Sequence, residues 1–191
     1  MEKDNNNKLV IFAIIAVIFV SVLSGLNSYN NMVSANENVT SAYADIDAQL
    51  QRRADLIPNL VNTVQAYMDY EKDVIDEVIA SREKLLSASS LSEKAQASDA
   101  LTDALKNLMV VVENYPDLKA NTTFIQLQDE LAGCENRIAT ARMDFNSAVE
   151  VYNKTIKKIP GVFFAKAFGF EEAEYFKAKE GSDQVPDVQF K

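Results

Sequence analysis

The sequence predicts an all-α membrane protein, with an N-terminal transmembrane helix, a long antiparallel four-helix bundle of coiled-coil type and a short C-terminal amphipathic segment. The first indication is an uncharged apolar stretch close to the N-terminus. The second is a series of apolar residues spaced alternately by three and four positions, as in helices that pack side by side. The third is the scarcity of helix breakers, since 191 residues include five glycines and four prolines.

These patterns divide the chain into five regions. We expect a short N-terminal lead over residues 1–8, a transmembrane helix over 9–28 and the antiparallel helical bundle over 29–160. An amphipathic, phenylalanine-rich segment over 161–178 follows, and then a flexible tail over 179–191. The tail is acidic and polar, a composition that favours a loose chain end.

The apolar stretch fits a membrane anchor. Residues 9–26 contain no charged side chain, and the next charge after Lys8 is Glu37. Crossing a bilayer takes roughly 20 apolar residues. A cleaved signal peptide is the alternative, but no clear Ala-x-Ala cleavage pattern follows the span. Because Lys3 and Lys8 precede the span and no Lys or Arg follows before Arg52, the positive-inside rule predicts a cytoplasmic N-terminus and an extracytoplasmic bundle.

The first bundle helix is predicted to continue from the span. Pro58 is expected to break or kink it, because proline lacks the N–H and clashes with the preceding turn. Asp55 is then placed to cap the second helix. Glu71 of that helix is a candidate ion-pair partner for Arg53. The apolar seam of the first helix comprises Tyr29, Met32, Asn36, Val39, Tyr43, Ile46, Leu50, Arg53 and Ile57.

Three further helices follow from the same periodicity. The second is predicted from about Pro58 to Ser87, and the third from an N-cap at Ser92 to Pro116. The fourth is capped by Asn121 or Thr122 and stopped by Pro160-Gly161. Its seven-residue repeat consists of Phe124, Leu131, Ile138, Phe145, Tyr152 and Ile159, with Cys134, Ala141 and Ala148 as small companions that allow close helix approach.

Charged residues crowd the predicted turn between the first two helices. They are Asp47, Arg52, Arg53 and Asp55, with Asn59 beside them. Short connections make consecutive helices antiparallel, so this turn is expected at the end of the bundle farthest from the membrane. A second turn, with Tyr115, Asp117 and Lys119, is expected at the same end. These eight residues are candidates for binding a partner, and helix capping with intrahelical ion pairs is the alternative.

The segment after the fourth helix combines aromatic and basic residues. Its membrane-interface candidates are Phe163, Phe164, Lys166, Phe168 and Phe170. Such a mixture suits the boundary between lipid and water. The alternative is that the phenylalanines close the membrane-proximal end of the bundle.

Several stretches resemble the LemA family. They include residues 44–61 (ADIDAQLQRRADLIPNLV), 115–121 (YPDLKAN) and 142–146 (RMDFN). The resemblance covers about residues 28–178. The Trp that the family often has near Tyr43 and the His near Tyr70 are absent. The resemblance implies a single-pass protein of the bacterial inner membrane. It also implies, by genomic association alone, partners such as HtpX-type membrane peptidases or TPM-domain proteins.

Composition argues against catalysis and against nucleic acid. The net charge is −9, whereas nucleic-acid binding needs a basic surface. The lack of histidine removes the commonest general base and metal ligand. We therefore expect no enzyme activity, no catalytic, metal or cofactor residues and no cofactor. The lone Cys134 is expected in the core rather than as a reactive thiol. The remaining functions are a scaffold or adaptor for other membrane proteins and a membrane-organising homo-oligomer, both in contact with the lipid bilayer.

Overall fold

A computed structural model describes residues 2–68 and 70–177, with side chains from residue 11 onward. This part of the chain contains no strand, which confirms the predicted all-α class. The predicted tail over 179–191 lies outside the described residues. The helices are α1 (Glu2–Gln65), α2 (Lys72–Ser87), α3 (Leu91–Val112), α4 (Pro116–Lys119), α5 (Thr122–Lys157) and α6 (Gly161–Phe168).

The N-terminal part of α1 is long and apolar enough to cross a membrane. Every side chain from residue 11 to residue 23 is exposed, including those of Phe12 and Phe19. A helix that is apolar on all faces, and that no other described residue covers, is typical of a membrane span. Burial begins at Gly25 and continues along one face of α1, where Met32 and Ala35 are the next buried residues.

Helix α1 continues through Pro58, so the predicted break there is wrong, while the alternative of a kink stays a prediction. Proline supplies no N–H to the carbonyl four residues earlier, which leaves the oxygen of Ala54 without its helical donor. The Nε of Arg82, on α2, donates a 2.8 Å hydrogen bond to that oxygen. This bond from a neighbouring helix explains how α1 tolerates the proline and continues to Gln65. Asp55 accordingly lies inside α1 and caps no helix.

Helices α2 and α3 begin at other residues than predicted. Helix α2 starts at Lys72, because α1 occupies the residues after Pro58. Helix α3 is capped by Ser90 rather than Ser92. The Ser90 Oγ accepts from the Glu93 backbone N at 3.2 Å, and a Glu93 carboxylate oxygen accepts from the Ser90 backbone N at 3.1 Å. This reciprocal capping box satisfies two backbone donors at the start of α3.

Helix α5 begins as predicted but loses one expected core residue at its end. The Asn121 Oδ1 accepts a 3.0 Å hydrogen bond from the Phe124 backbone N, which confirms Asn121 as a cap. The helix ends at Lys157, and a cis peptide joins Ile159 to Pro160. Ile159 is 79% exposed, so its predicted place in the heptad core is wrong.

The helices form two compact units, and α1 and α5 contribute to both. The first unit contains the chain up to Ala42 together with Asn146–Glu174. The core of the first unit consists of Met32, Ala35, Tyr152, Ile156 and Ala165.

The second unit contains Tyr43–Phe145 and continues from Tyr175. All four of its long helices contribute buried apolar side chains. They include Ile46, Ile57 and Leu60 of α1, Ile75, Val78 and Leu85 of α2, Leu101 and Leu108 of α3, and Phe124, Leu131, Ile138 and Phe145 of α5. The predicted seam of α1 is buried here at Ile46, Leu50, Arg53 and Ile57, whereas Tyr29 and Asn36, in the first unit, are exposed.

Candidate functional site

Helix α6 packs against α1 just where the exposed apolar stretch ends. Gly25 is buried under the Phe164 ring, and a Cβ at that position would lie 2.9 Å from Phe164 Cε1. One turn further along α1, Tyr29 meets the Phe168 ring edge-on with centroids 5.1 Å apart. The missing side chain at Gly25 thus allows the aromatic face of α6 to approach α1.

A second glycine permits the turn from α5 into α6. A Cβ on Gly161 would lie 2.5 Å from the Thr155 carbonyl oxygen and 3.2 Å from Met32 Cε. Because the first of these atoms belongs to the backbone, a larger residue would force the chain to shift. The close approach at Gly161 therefore sets the position of α6 in the first unit.

The predicted membrane-interface residues divide into two groups. Phe164 and Phe170 pack against the core of the first unit, and Phe170 also meets Tyr29 with centroids 5.9 Å apart. Phe163 is 67% exposed, and Lys166 and Phe168 are also exposed. Both of the alternatives drawn from the sequence thus have residues that fit them, and contact of Phe163 with lipid stays a prediction.

The basic residues near α6 also differ in their surroundings. Lys154 pairs with Glu150 within α5, and the Lys157 ammonium lies 2.7 Å from a Glu172 carboxylate oxygen. Lys158 and Lys166 are exposed and form no ion pair within the described part of the chain. Neither lysine therefore has a described carboxylate of the first unit within ion-pair distance.

The segment after α6 is tied back onto α5. The Tyr152 hydroxyl donates to the Glu171 carbonyl at 2.8 Å. The Asn153 amide donates to the Ala173 carbonyl and accepts from the Ala173 N–H, both at 2.9 Å. Burial, with a smaller contribution from the Glu171 charge, raises the pKa of Tyr152. These anchors were not predicted from the sequence. The available signal was an asparagine, Asn153, directly after Tyr152 of the predicted heptad row.

The predicted partner-binding residues of α1 lie in mid-helix, not at a turn. Arg53 is 1% exposed. Its guanidinium donates to a Glu135 carboxylate oxygen at 2.5 Å, the Thr102 hydroxyl at 2.8 Å and the Ser98 carbonyl at 3.1 Å. Burial lowers the pKa of Arg53, and the Glu135 charge opposes that shift. The predicted pairing of Arg53 with Glu71 is wrong, because Glu135 on α5 takes that place.

The other four α1 candidates are exposed. Arg52 pairs with Glu130 on α5 at 3.1 Å, Asp47 pairs with Lys94 on α3, and Asp55 accepts from Gln51. Asn59 is exposed one residue after Pro58. Each of the first three thus has a partner in its own unit, and a role in binding another protein stays a prediction.

The predicted second turn, residues 115–121, contacts the connection between α1 and α2 and not residues 47–59. The Asn121 amide donates to the Tyr67 hydroxyl at 3.0 Å, and the Tyr115 hydroxyl lies 3.4 Å from a Glu71 carboxylate oxygen. Lys119 pairs with Glu113 at 2.5 Å, and Asp117 is exposed. Tyr70, the residue before Glu71, is 93% exposed. We call Tyr67, Tyr70, Tyr115, Asp117 and Lys119 the turn surface.

Over residues 2–68 and 70–177, no group of three or more His, Cys, Asp or Glu side chains is arranged to hold a metal ion. Cys134 is buried within α5, as its heptad position predicts. Such a thiol acts as a small apolar core residue.

Comparison with known proteins supports the resemblance seen in the sequence. Magnetosome protein MamQ 2 of Paramagnetospirillum magneticum is 29% identical, over 92% of this chain and 73% of the relative. Magnetosome protein MamQ of Magnetospirillum gryphiswaldense is 26% identical over the same shares. Protein LemA of Metamycoplasma hominis is 24% identical, over 77% of this chain and 67% of the relative. The model of the LemA family matches residues 42–190, so the chain belongs to the LemA family.

Proposed function

We propose that this protein is a single-pass membrane scaffold without enzymatic activity. The N-terminal part of α1 anchors it in the bilayer, with the N-terminus in the cytoplasm, and the helices after the span form an antiparallel four-helix bundle on the other side. The bundle presents its surface to another membrane protein. HtpX-type peptidases and TPM-domain proteins, the partners implied by the family resemblance, are the first candidates.

The packing of α6 on α1 carries the proposal. Phe164 covers Gly25 at the end of the apolar stretch, so a bilayer around that stretch would have α6 at its surface. Phe163 is then the side chain best placed to enter the interface, where aromatic residues are favoured. A helix held there would restrain the first unit at the membrane surface, which a scaffold needs in order to present a partner in a fixed position.

A homo-oligomer that organises the membrane is the second candidate. The same exposed apolar residues, Ile159 and Phe163, support it, because they would equally suit packing against a second copy. The relatives that are named as magnetosome proteins do not decide between the two, since their names state no mechanism.

The chain has no tryptophan, so one introduced residue is a unique fluorescent reporter. We expect Phe163→Trp, in full-length protein reconstituted into vesicles, to emit at short wavelength and to be quenched by lipids brominated in their acyl chains. The matched control is Val151→Trp, an exposed position on α5 about 9 Å of helix before the end of α5. We expect aqueous emission without lipid quenching from Trp at 151.

Three outcomes separate the candidates. Quenching at position 163 but not at 151 supports an interfacial α6. Short-wavelength emission at 163 without lipid quenching means that Phe163 packs against protein, which favours the homo-oligomer. Aqueous emission at both positions would remove the basis for placing α6 at the bilayer.

A further inference from the structure

We propose that Lys158 and Lys166 bind the headgroups of anionic phospholipids, with Phe163 inserted between the neighbouring lipids. This inference rests on the proposed interfacial position of α6 and adds the chemical class of lipid that α6 selects. Neither the family match nor the names of the relatives assigns a lipid to the chain.

The geometry of α6 places one lysine beside the exposed phenylalanine. The face of α6 that carries Gly161 and Ala165 is buried in the first unit. Residues three apart lie on the same side of a helix, so Lys166 and Phe163 share a side away from that buried face. Both are exposed there. A cation next to an apolar side chain matches the order of headgroup and acyl chain at a bilayer surface.

The second lysine follows directly after α5. Lys158 is exposed, and its backbone N donates to the Lys154 carbonyl at 3.1 Å, which holds it at the last turn of that helix. Three residues later the chain enters α6 at Gly161. Lys158 therefore lies before the short connection to α6, and Lys166 lies in the last turn of α6.

The distribution of ion pairs singles out these two lysines. Lys154 and Lys157 are each paired with a glutamate of the first unit, as described above. Lys158 and Lys166 make no such pair in the described part of the chain, in a protein whose net charge is −9. Uncompensated lysines beside an apolar anchor are complementary to anionic lipid, and each is worth about a fivefold preference at a membrane surface.

The same charges argue against a second copy as the occupant. In a two-fold symmetric contact the same patch faces itself, so Lys166 would lie opposite Lys166 around Phe163. Like charges brought together in this way oppose association. An anionic headgroup instead supplies the missing negative charge.

The test measures which lipid surrounds position 163. Full-length Phe163→Trp protein is reconstituted into vesicles of phosphatidylcholine and phosphatidylglycerol at three to one. In one preparation the phosphatidylglycerol carries brominated chains, and in the other an equal mole fraction of the phosphatidylcholine does. We expect severalfold stronger quenching by the brominated phosphatidylglycerol, and loss of this preference at about 1 M salt, where the screening length falls to about 3 Å.

Two double variants then locate the effect. Lys158→Gln with Lys166→Gln should bring the ratio of the two quenching efficiencies close to one. Lys154→Gln with Lys157→Gln removes the same charge from lysines that are already paired, and should leave most of the preference.

The failures are distinguishable. Equal quenching by both lipids, or equal loss in the two double variants, would overturn the lysine site while leaving α6 at the interface. Absence of quenching by either lipid would contradict the proposed function itself.

Discussion

The buried Arg53 allows a sharp test of how the second unit is held together. We expect Glu135→Ala to destabilise the protein more than Arg53→Met, although both variants remove the same ion pair. The reason lies in what each change leaves behind. Without Glu135, the guanidinium of Arg53 stays buried with only the Thr102 hydroxyl and the Ser98 carbonyl as acceptors.

The magnitudes follow from burial. Removing one partner of a fully buried ion pair costs about 3–5 kcal/mol. The Glu135 side chain is 48% exposed, so water can partly replace its carboxylate. We therefore expect the loss of a hydrogen bond to a charged group, about 1.5–3 kcal/mol.

Arg53→Met leaves no charge in the core. Methionine is unbranched and apolar, and it fills irregular space well. The Thr102 hydroxyl still donates to the Ser98 carbonyl at 3.0 Å, so neither acceptor is left without a partner. Glu135 keeps its access to water. Replacing a buried ion by an apolar side chain of similar size is often neutral, so we expect a change within about 1 kcal/mol.

Urea unfolding of the full-length protein in mild detergent, followed by circular dichroism at 222 nm, measures these differences. The double variant should be about as stable as Arg53→Met alone, because Glu135 then has no buried partner to lose. The control pair is Arg52 with Glu130, both half-exposed, where Arg52→Met and Glu130→Ala should each change stability by less than about 1 kcal/mol. A larger loss for Arg53→Met than for Glu135→Ala, or additive losses in the double variant, would refute the argument.

Two further predictions concern the caps and the turn surface. The backbone hydrogen bonds from Ser89 and Ser90 lower the pKa of Glu93 below its ordinary 4.5. Ionised Glu93 therefore stabilises α3 above pH 4.5, and this stabilisation is lost as the pH falls through the lowered pKa of the folded state. Glu93→Gln should therefore be less stable than the unchanged protein at pH 7 by thermal unfolding, and the difference should shrink as the pH falls below 4.5. A difference that stays constant with pH would contradict this linkage. If the turn surface binds a partner, benzoylphenylalanine at position 70 should photo-crosslink to one discrete membrane protein in cells. The same group at position 143, where Met143 is exposed, should give no such product. Equal products at both positions would refute this assignment.

Local patterns were enough to predict most of the helices. The spacing from Phe124 to Tyr152 predicted the buried face of α5, because helical periodicity is a property of neighbouring residues. Asn121 was predicted as a cap for the same reason. Ser92 was predicted as the cap of α3, but Ser90 holds that position. The prediction failed because the serine-rich stretch offers several residues of similar capping propensity.

The location of the candidate sites was predicted less well. The phenylalanine-rich segment after α5 was recognised by composition, but the difference between packed Phe164 and exposed Phe163 depends on where α6 meets Gly25. The charged residues around Arg53 were assigned to a turn because Pro58 was expected to end the helix. Whether a proline breaks a helix depends on whether another group satisfies the freed carbonyl, and Arg82 lies on a different helix.

The sequence by itself determined the all-α class, the apolar N-terminal stretch, the family and the aromatic and basic character of the α6 region. These features depend on composition and on spacing within a single helix. Only the tertiary structure decided that α1 passes through Pro58, that Arg53 pairs with Glu135 and that Lys158 and Lys166 form no ion pair with the described residues. Each of these depends on which side chains from distant parts of the chain come within a few ångströms, and helical periodicity carries no information about such contacts.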